Sequence, residues 1–151
     1  MQIIEFTGDS LRFADTLPAQ APAEGFVWVF LDREEFDTHR ARLQQAAQSL
    51  GGSAMLDLHC KDLASAVHPS HYDYTSIYDL IIFRRLATQL EVQTETDHEN
   101  AISDYHSHAE QAHIQRRKDT PEFNRIGSKA VGFVVFDRLL ISGKPFRRRR
   151  G

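Results

Sequence analysis

The stretch Phe26-Val27-Trp28-Val29-Phe30-Leu31-Asp32 decides how the rest of the chain is interpreted. A short, continuous apolar run of this kind is typical of a strand buried on both faces, and we expect it at the centre of a sheet. The run is far shorter than the roughly 20 apolar residues that a membrane-spanning helix needs. Asp32 closes it, where a carboxylate can cap a following helix, with Glu34 and Glu35 in the first turn.

Two helices are predicted after this strand. The first has an apolar stripe at helical spacing and ends at two glycines: Phe36, Leu43, Ala47, Leu50 and Gly51-Gly52. The second is expected over Leu56 to Val67, because four apolar residues share one face and Pro69 lies just beyond: Leu56, Cys60, Leu63 and Val67.

Alternating patterns predict the remaining strands, and a capping box predicts a third helix. The strands are Met1 to Thr7 paired with Leu11 to Ala14 as an edge hairpin, Tyr72 to Tyr74, Tyr78 to Leu86, and Ala130 to Phe136 paired with Leu139 to Ser142 around the turn Asp137-Arg138. The third helix begins at Thr96-Asp97-His98-Glu99 and ends in Arg116-Arg117-Lys118. The predicted class is α/β (α+β): a three-layer α/β/α sandwich around a mixed, largely antiparallel sheet of about six or seven strands.

Length, composition and charge narrow the functional classes. The chain has 151 residues, 41% hydrophobic and 26% charged, which suits one globular domain. A net charge of -3 provides no broad cationic field, so no nucleic-acid partner is expected. The single cysteine, Cys60, cannot form an internal disulfide and is expected on an apolar helix face. No signal peptide is visible at the amino terminus.

Several stretches, taken in order, carry a family resemblance. They are Phe26 to Asp32, Leu43 to Gly51, Leu56 to Leu63, His68 to Asp73, Tyr78 to Arg84, and the hairpin of Val131 to Phe136 with Leu139 to Ser142. Their order resembles the amino-terminal cytoplasmic domain of the CorA family of magnesium transporters and of its ZntB-like, zinc-transporting relatives. The Gly-Met-Asn tripeptide of that family and its membrane helices do not occur in this sequence.

The resemblance implies a function and a setting. Residues 1–146 would be the soluble regulatory, ion-sensing domain of a divalent-cation transport protein, and 147–151 a basic, disordered tail. Such a domain lies on the cytoplasmic side of the inner membrane of a bacterium and forms a homopentamer with its own transmembrane region. Its ion is Mg²⁺ or Zn²⁺, and carboxylates between subunits bind it; the general candidates are Asp32, Asp62, Asp73 and Asp79.

One candidate metal site lies on the predicted third helix. His106, Glu110 and His113 stand at i, i+4 and i+7 and therefore share one face, which Glu99 could extend. Imidazole and carboxylate are suitable zinc ligands. A solvated polar face is the alternative interpretation. This site supports a second hypothesis, a stand-alone metal-binding or metal-responsive protein.

A second polar group surrounds the second helix. It contains His59, His68 and His71 together with Asp57, Asp62 and Asp73, a set that could serve acid–base chemistry or simply form the rim of the sheet with Tyr72, Tyr74 and Tyr78. No nucleophile elbow, phosphate loop or zinc-protease helix is present, so an enzyme is not expected and no organic cofactor is implied. A third hypothesis is a small adaptor that docks on nucleic acid or on a membrane through the basic run Arg147 to Arg150.

Overall fold

The structure, a computed structural model, describes residues 1–89, 91–92 and 127–144. The described strands are β1 (Gln2–Thr7), β2 (Ser10–Ala14), β3 (Gly25–Asp32), β4 (His71–Tyr74), β5 (Asp79–Leu86), β6 (Ser128–Val135) and β7 (Leu139–Lys144). The helices are α1 (Phe36–Leu50), which follows a 3-10 turn at Arg33–Glu35, and α2 (Asp57–Ala64).

The strands form one sheet in the order β2-β1-β3-β7-β6-β5-β4. The sheet is mostly antiparallel, with one parallel pair, β3 beside β7. The predicted α+β class is therefore confirmed, as is the predicted mixed, largely antiparallel sheet of about six or seven strands, of which the structure has seven. Both predicted hairpins are also present, since β1 pairs with β2 around Gly8-Asp9 and β6 pairs with β7 around Asp137-Arg138.

Both described helices pack on the same face of the sheet. Strand residues that pair directly across a ladder share a face, and one such set is buried: Ile3, Val27, Val29, Leu31, Leu139, Ile141, Val134, Leu80 and Ile82. Phe36, Leu43 and Ala47 from α1 and Cys60 and Leu63 from α2 join the same core. These two helices form one helical layer, and the third predicted helix lies outside the described residues.

The opposite face of the sheet is lined by aromatic and aliphatic side chains. We call this surface the aromatic face; it consists of Ile4, Phe6, Leu11, Phe13, Phe26, Trp28, Phe30, Tyr72, Tyr74, Ile81, Phe83, Phe133, Val135 and Leu140. Phe6 stacks on Phe26 at 4.6 Å between ring centroids, and Phe83 stacks on Phe133 at 6.0 Å. None of the helices in the described part of the chain covers this surface.

Strand β3 differs from the prediction in burial. It was expected to be buried on both faces, but only alternate residues are buried: Val27, Val29 and Leu31 face the helices, and Trp28 and Phe30 are half-buried on the aromatic face. The reason is that the described helices cover one face of the sheet. β3 is the third strand in the order, beside the central β7.

The start of α1 also differs from the prediction. Asp32 makes no side-chain capping hydrogen bond, because the 3-10 turn comes between it and α1. This turn directs the buried Arg33 inward, where its guanidinium donates to the carbonyl oxygen of Ala130. Glu35 instead accepts a hydrogen bond from the amino-terminal ammonium of Met1 at 3.0 Å.

Helix α2 is shorter than predicted at its carboxyl end. It ends at Ala64, Ser65 is extended, and Val67 is 84% exposed instead of facing the core. Pro69 disfavours helical geometry in the residue before it. The guanidinium of Arg84 donates to the carbonyl oxygens of Ala66 (3.1 Å) and His68 (3.0 Å), so these carbonyls find partners without a helix.

The chain divides into two compact units, Met1–Arg84 with Ala130–Gly151, and Arg85–Lys129. In the second unit, Thr88 N–H donates to Glu91 Oε2 at 2.8 Å, and Glu91 N–H donates to Thr88 Oγ1 at 3.3 Å. This reciprocal pair is a capping-box arrangement. Hydrogen bonds from Arg85, then those from Thr88, lower the pKa of Glu91 to about 2.

Two glycines that face each other across β6 and β7 provide a test of the helix packing. A Cβ atom at Gly132 would lie 2.6 Å from Leu63 Cδ2 of α2, whereas one at Gly143 would meet nothing within 4 Å. We expect Gly132→Ala to lower the free energy of unfolding by about 1–3 kcal/mol, because Leu63 must shift within the packed core. Gly143→Ala, the matched control, is expected to change it by less than about 1 kcal/mol. Urea denaturation measures both, and equal effects would contradict the packing of α2 on β6.

Candidate functional site

A chain of hydrogen bonds joins α2 to the strands β4 and β5. His59 on α2 lies with Nε2 3.0 Å from Asp73 Oδ2 and with Nδ1 2.8 Å from the hydroxyl of Tyr78. The Tyr78 oxygen also accepts the backbone N–H of Leu56 at 2.9 Å. Both ring nitrogens of the buried histidine therefore have partners, as buried polar atoms require.

The pKa shifts of Asp73 and Tyr78 favour one arrangement of protons along this chain of hydrogen bonds. The hydrogen bond with His59, assisted by the backbone N–H of Tyr74, lowers the pKa of Asp73, so its carboxylate is the acceptor. Burial raises the pKa of Tyr78, whose hydroxyl keeps its proton. Tyr78 then donates to Nδ1 of His59, and Nε2–H of His59 donates to Asp73.

The accessibility of these groups favours a structural role. His59 is 2% exposed and Tyr78 4% exposed, whereas the Asp73 side chain is 45% exposed. In nucleophile–base–acid catalysis the carboxylate is buried and the nucleophile faces the substrate. Here the carboxylate of Asp73 is partly exposed, and the hydroxyl of Tyr78 is buried. The arrangement is suited to holding α2 against β4 and β5, because it leaves neither ring nitrogen of His59 nor the Tyr78 hydroxyl without a hydrogen-bond partner.

A second histidine contact lies in the loop between α2 and β4. His68 Nε2 is 3.3 Å from Asp62 Oδ1, and its Nδ1 is 2.8 Å from the carbonyl oxygen of Pro69. The ring of His71 lies beside it, with ring centroids 5.4 Å apart. Arg84 holds the same loop through the carbonyls of Ala66 and His68.

The structure thus brings together most of the polar group predicted around α2. It joins His59 to Asp73, and His68 to Asp62 with His71 alongside. Asp57 lies at the start of α2 and takes no part in these contacts. Tyr78 had been assigned to the rim of the sheet with Tyr72 and Tyr74, but it is buried and bonded to His59. Nothing in the spacing of the three tyrosines distinguishes it, because only the packing of α2 over the start of β5 buries one of them.

The metal site predicted on the third helix is not part of this polar group. His106, Glu110, His113 and Glu99 lie outside the described residues, so that metal site stays a prediction. Within the described ranges, no three His, Cys, Asp or Glu side chains are already positioned to hold a metal ion. Of the candidate carboxylates, Asp62 and Asp73 are paired with histidines, and Asp79 begins β5 opposite Tyr74. Asp32 keeps a buried Oδ1 atom without a hydrogen-bond partner.

Comparison with known proteins gives no assignment: neither a protein-family model nor a curated protein matches this sequence. In the part of the chain that the structure describes, no helix combines the length and apolarity needed to cross a membrane.

Removal of the Tyr78 hydroxyl tests the hydrogen-bonded chain. Tyr78→Phe leaves His59 Nδ1 and the N–H of Leu56 without this partner, and we expect a loss of about 1–3 kcal/mol in the free energy of unfolding. Tyr74→Phe, at a tyrosine that is 71% exposed, is the matched control and is expected to change little. Denaturant unfolding of the two variants measures the difference. Equal stability of Tyr78→Phe and wild type would show that the hydroxyl stabilises nothing.

The lowered pKa of Asp73 predicts a pH dependence of stability. A carboxyl group whose pKa is lowered by folding stabilises the folded state above its ordinary value of 3.8, and this contribution disappears as the pH falls through the lowered value. We expect wild type to be more stable than Asp73→Asn at pH 6 and the difference to shrink below pH 3.8. Thermal unfolding of both proteins from pH 6 to well below pH 3.8 measures it. A difference that stays constant with pH would contradict a charged acceptor at Asp73.

Proposed function

We propose that the chain is the cytoplasmic regulatory domain of a CorA-like divalent-cation transport protein, and that it catalyses no reaction. The observation that carries this proposal is the aromatic face. A sheet whose described helices all lie on one face, and whose opposite face is largely apolar, is suited to receive a second layer of helices. In the CorA-like interpretation, that layer belongs to the region that connects the domain to its pore.

The composition of the aromatic face supports a protein partner of this kind. Seven strands at about 4.8 Å spacing give a surface roughly 30 Å wide, which has room for two or three helices of about 10 Å diameter. Large apolar side chains on it remain exposed, among them Phe13 at 69%, Phe83 at 43% and Ile81 at 36%. Contiguous apolar surface of this extent typically marks an interaction site.

The order of elements supports the family. Five of the six stretches that carry the resemblance coincide with a described element: the Trp-containing strand is β3, the two helices are α1 and α2, the strand ending in arginine is β5, and the final hairpin is β6–β7. The sixth, His68 to Asp73, runs from the loop after α2 into β4. β7 is the central strand and runs parallel to β3. The resemblance implies a long helix after the last strand, and such a helix would start from the middle of the sheet rather than from an edge.

The cation in this proposal is Mg²⁺ or Zn²⁺, bound by carboxylates between neighbouring domains of a homopentamer. The candidate carboxylates for this role are Asp32, Asp62, Asp73 and Asp79, of which Asp62 and Asp73 pair with histidines within the domain. Oxygen ligands of this type suit Mg²⁺. The domain on its own is expected to be monomeric or weakly associated.

A chimaeric transporter tests the proposal. The chain is fused in place of the cytoplasmic domain of a CorA-like pore, and Mg²⁺ flux into liposomes is followed with a fluorescent indicator. We expect pentamers that conduct, with flux that falls as internal Mg²⁺ rises. Phe83→Asp on the aromatic face is expected to abolish assembly of the chimaera, because burying an unpaired carboxylate against a helix is costly.

Leu58→Asp is the matched control for that variant. Leu58 lies on α2 and is 63% exposed, away from the aromatic face, so its replacement is expected to leave assembly and flux unchanged. Circular dichroism of the isolated domain confirms that both variants fold. If the chimaera assembles equally well with Phe83→Asp, or if its flux does not respond to internal Mg²⁺, the proposed function is wrong.

A further inference from the structure

The contacts of His68 place its Nε2 atom beside the carboxylate of Asp62. Nδ1 lies 2.8 Å from the carbonyl oxygen of Pro69, which can only accept, so Nδ1 carries a proton. In the neutral ring Nε2 then has a lone pair, and it faces Asp62 Oδ1, an acceptor, at 3.3 Å. Two lone pairs at this distance repel each other unless a proton or a metal ion lies between them.

The separation of the two atoms is one that two ligands of a single metal ion adopt. A charge-assisted N–H···O bond is about 2.7–2.9 Å long, whereas the distance between His68 and Asp62 is 3.3 Å. Nitrogen and oxygen ligands each about 2.0–2.2 Å from a tetrahedral zinc ion lie roughly 3.3–3.5 Å apart. The side chains are 22% and 15% exposed, so an ion can reach them.

His71 is placed to supply a third ligand. It lies on β4 two residues before Asp73, and alternation along the strand directs both toward α2. Its ring centroid is 5.4 Å from that of His68, close to the roughly 5 Å expected for two imidazoles bound to one tetrahedral zinc ion. The three side chains do not converge at coordination distance in this structure, so binding requires the exposed His71 ring to turn toward His68 and Asp62.

The surroundings of His68 resemble the outer sphere of a metal site. Histidine ligands commonly donate their second ring N–H to a carbonyl oxygen, which fixes the tautomer and the ring orientation. Pro69 provides that carbonyl, and Arg84 holds the loop in place through the carbonyls of Ala66 and His68.

We propose that Asp62, His68 and His71 bind a zinc ion, with water as the fourth ligand. Two imidazoles and one carboxylate favour Zn²⁺ over Mg²⁺, which prefers oxygen ligands. The bound ion ties the end of α2 and the following loop to β4. The site involves neither the aromatic face nor a pore, and its test does not depend on the proposed transport function.

Calorimetric titration with ZnCl₂ tests the site in the full chain. All proteins carry His106→Ala and His113→Ala, so that the metal site predicted from the sequence cannot contribute. We expect one zinc ion per chain, and a loss of affinity of about 100-fold or more in His68→Ala, because a direct ligand contributes more than the about 10–100-fold of an outer-sphere partner. His39→Ala, which removes a histidine of α1, is the matched control and is expected to bind as the parent does.

Two further measurements, Co²⁺ absorption and a His71→Ala variant, test the site even if His68→Ala does not fold. Co²⁺ in place of Zn²⁺ gives a visible absorption band whose intensity reports tetrahedral coordination, and His71→Ala is expected to remove it. His71 is exposed, so this variant folds even if His68→Ala does not. Zinc affinity unchanged in His68→Ala and His71→Ala, or no zinc binding at all, would overturn the proposal. Neither result depends on the chimaeric transporter.

Discussion

The parallel pairing of β3 with β7 holds together two halves of the sheet that are distant in sequence. On one side lie β1 and β2, and on the other β6, β5 and β4. Trp28 Nε1–H donates to Ser142 Oγ at 2.8 Å across 114 residues of sequence, and Val27 N–H donates to the carbonyl of Arg138 at 2.9 Å. The Arg138 guanidinium in turn binds the carbonyls of Pro22 and Ala23 before β3. Without this pairing, each half would expose an open strand edge.

Joining the halves creates two continuous apolar faces. One is buried by α1 and α2, while the other, the aromatic face, receives no helix from the described residues. Burial of apolar area stabilises at roughly 25 cal/mol per Å², so a surface of this size strongly favours a covering layer. The transport-domain proposal rests on that asymmetry, because a second helical layer would cover the aromatic face.

The polar contacts concentrate where α2 meets β4, the short outer strand of the sheet. His59 is buried with both ring nitrogens bonded, and His68 is held at the end of the helix by Asp62 and Pro69. These contacts compensate for the brevity of α2 and β4, which contribute few core residues. The two histidines differ in their partners. His59 faces a donor and an acceptor, whereas His68 faces two acceptors, which is why His68 rather than His59 is a candidate for binding a cation.

The amino-acid sequence by itself determined the local elements and the class. The apolar run of β3, the spacing of Phe36, Leu43 and Ala47, and the turn residues between β6 and β7 each follow from short-range periodicity and turn chemistry. It also placed Asp62, His68 and His71 near one another, since a short loop joins α2 to β4. Only the tertiary structure decided the strand order, the burial of Tyr78 against His59, the early end of α2 and the aromatic face that no helix of the described residues covers. Each of these depends on contacts between residues far apart in the chain, whose energies local patterns do not encode.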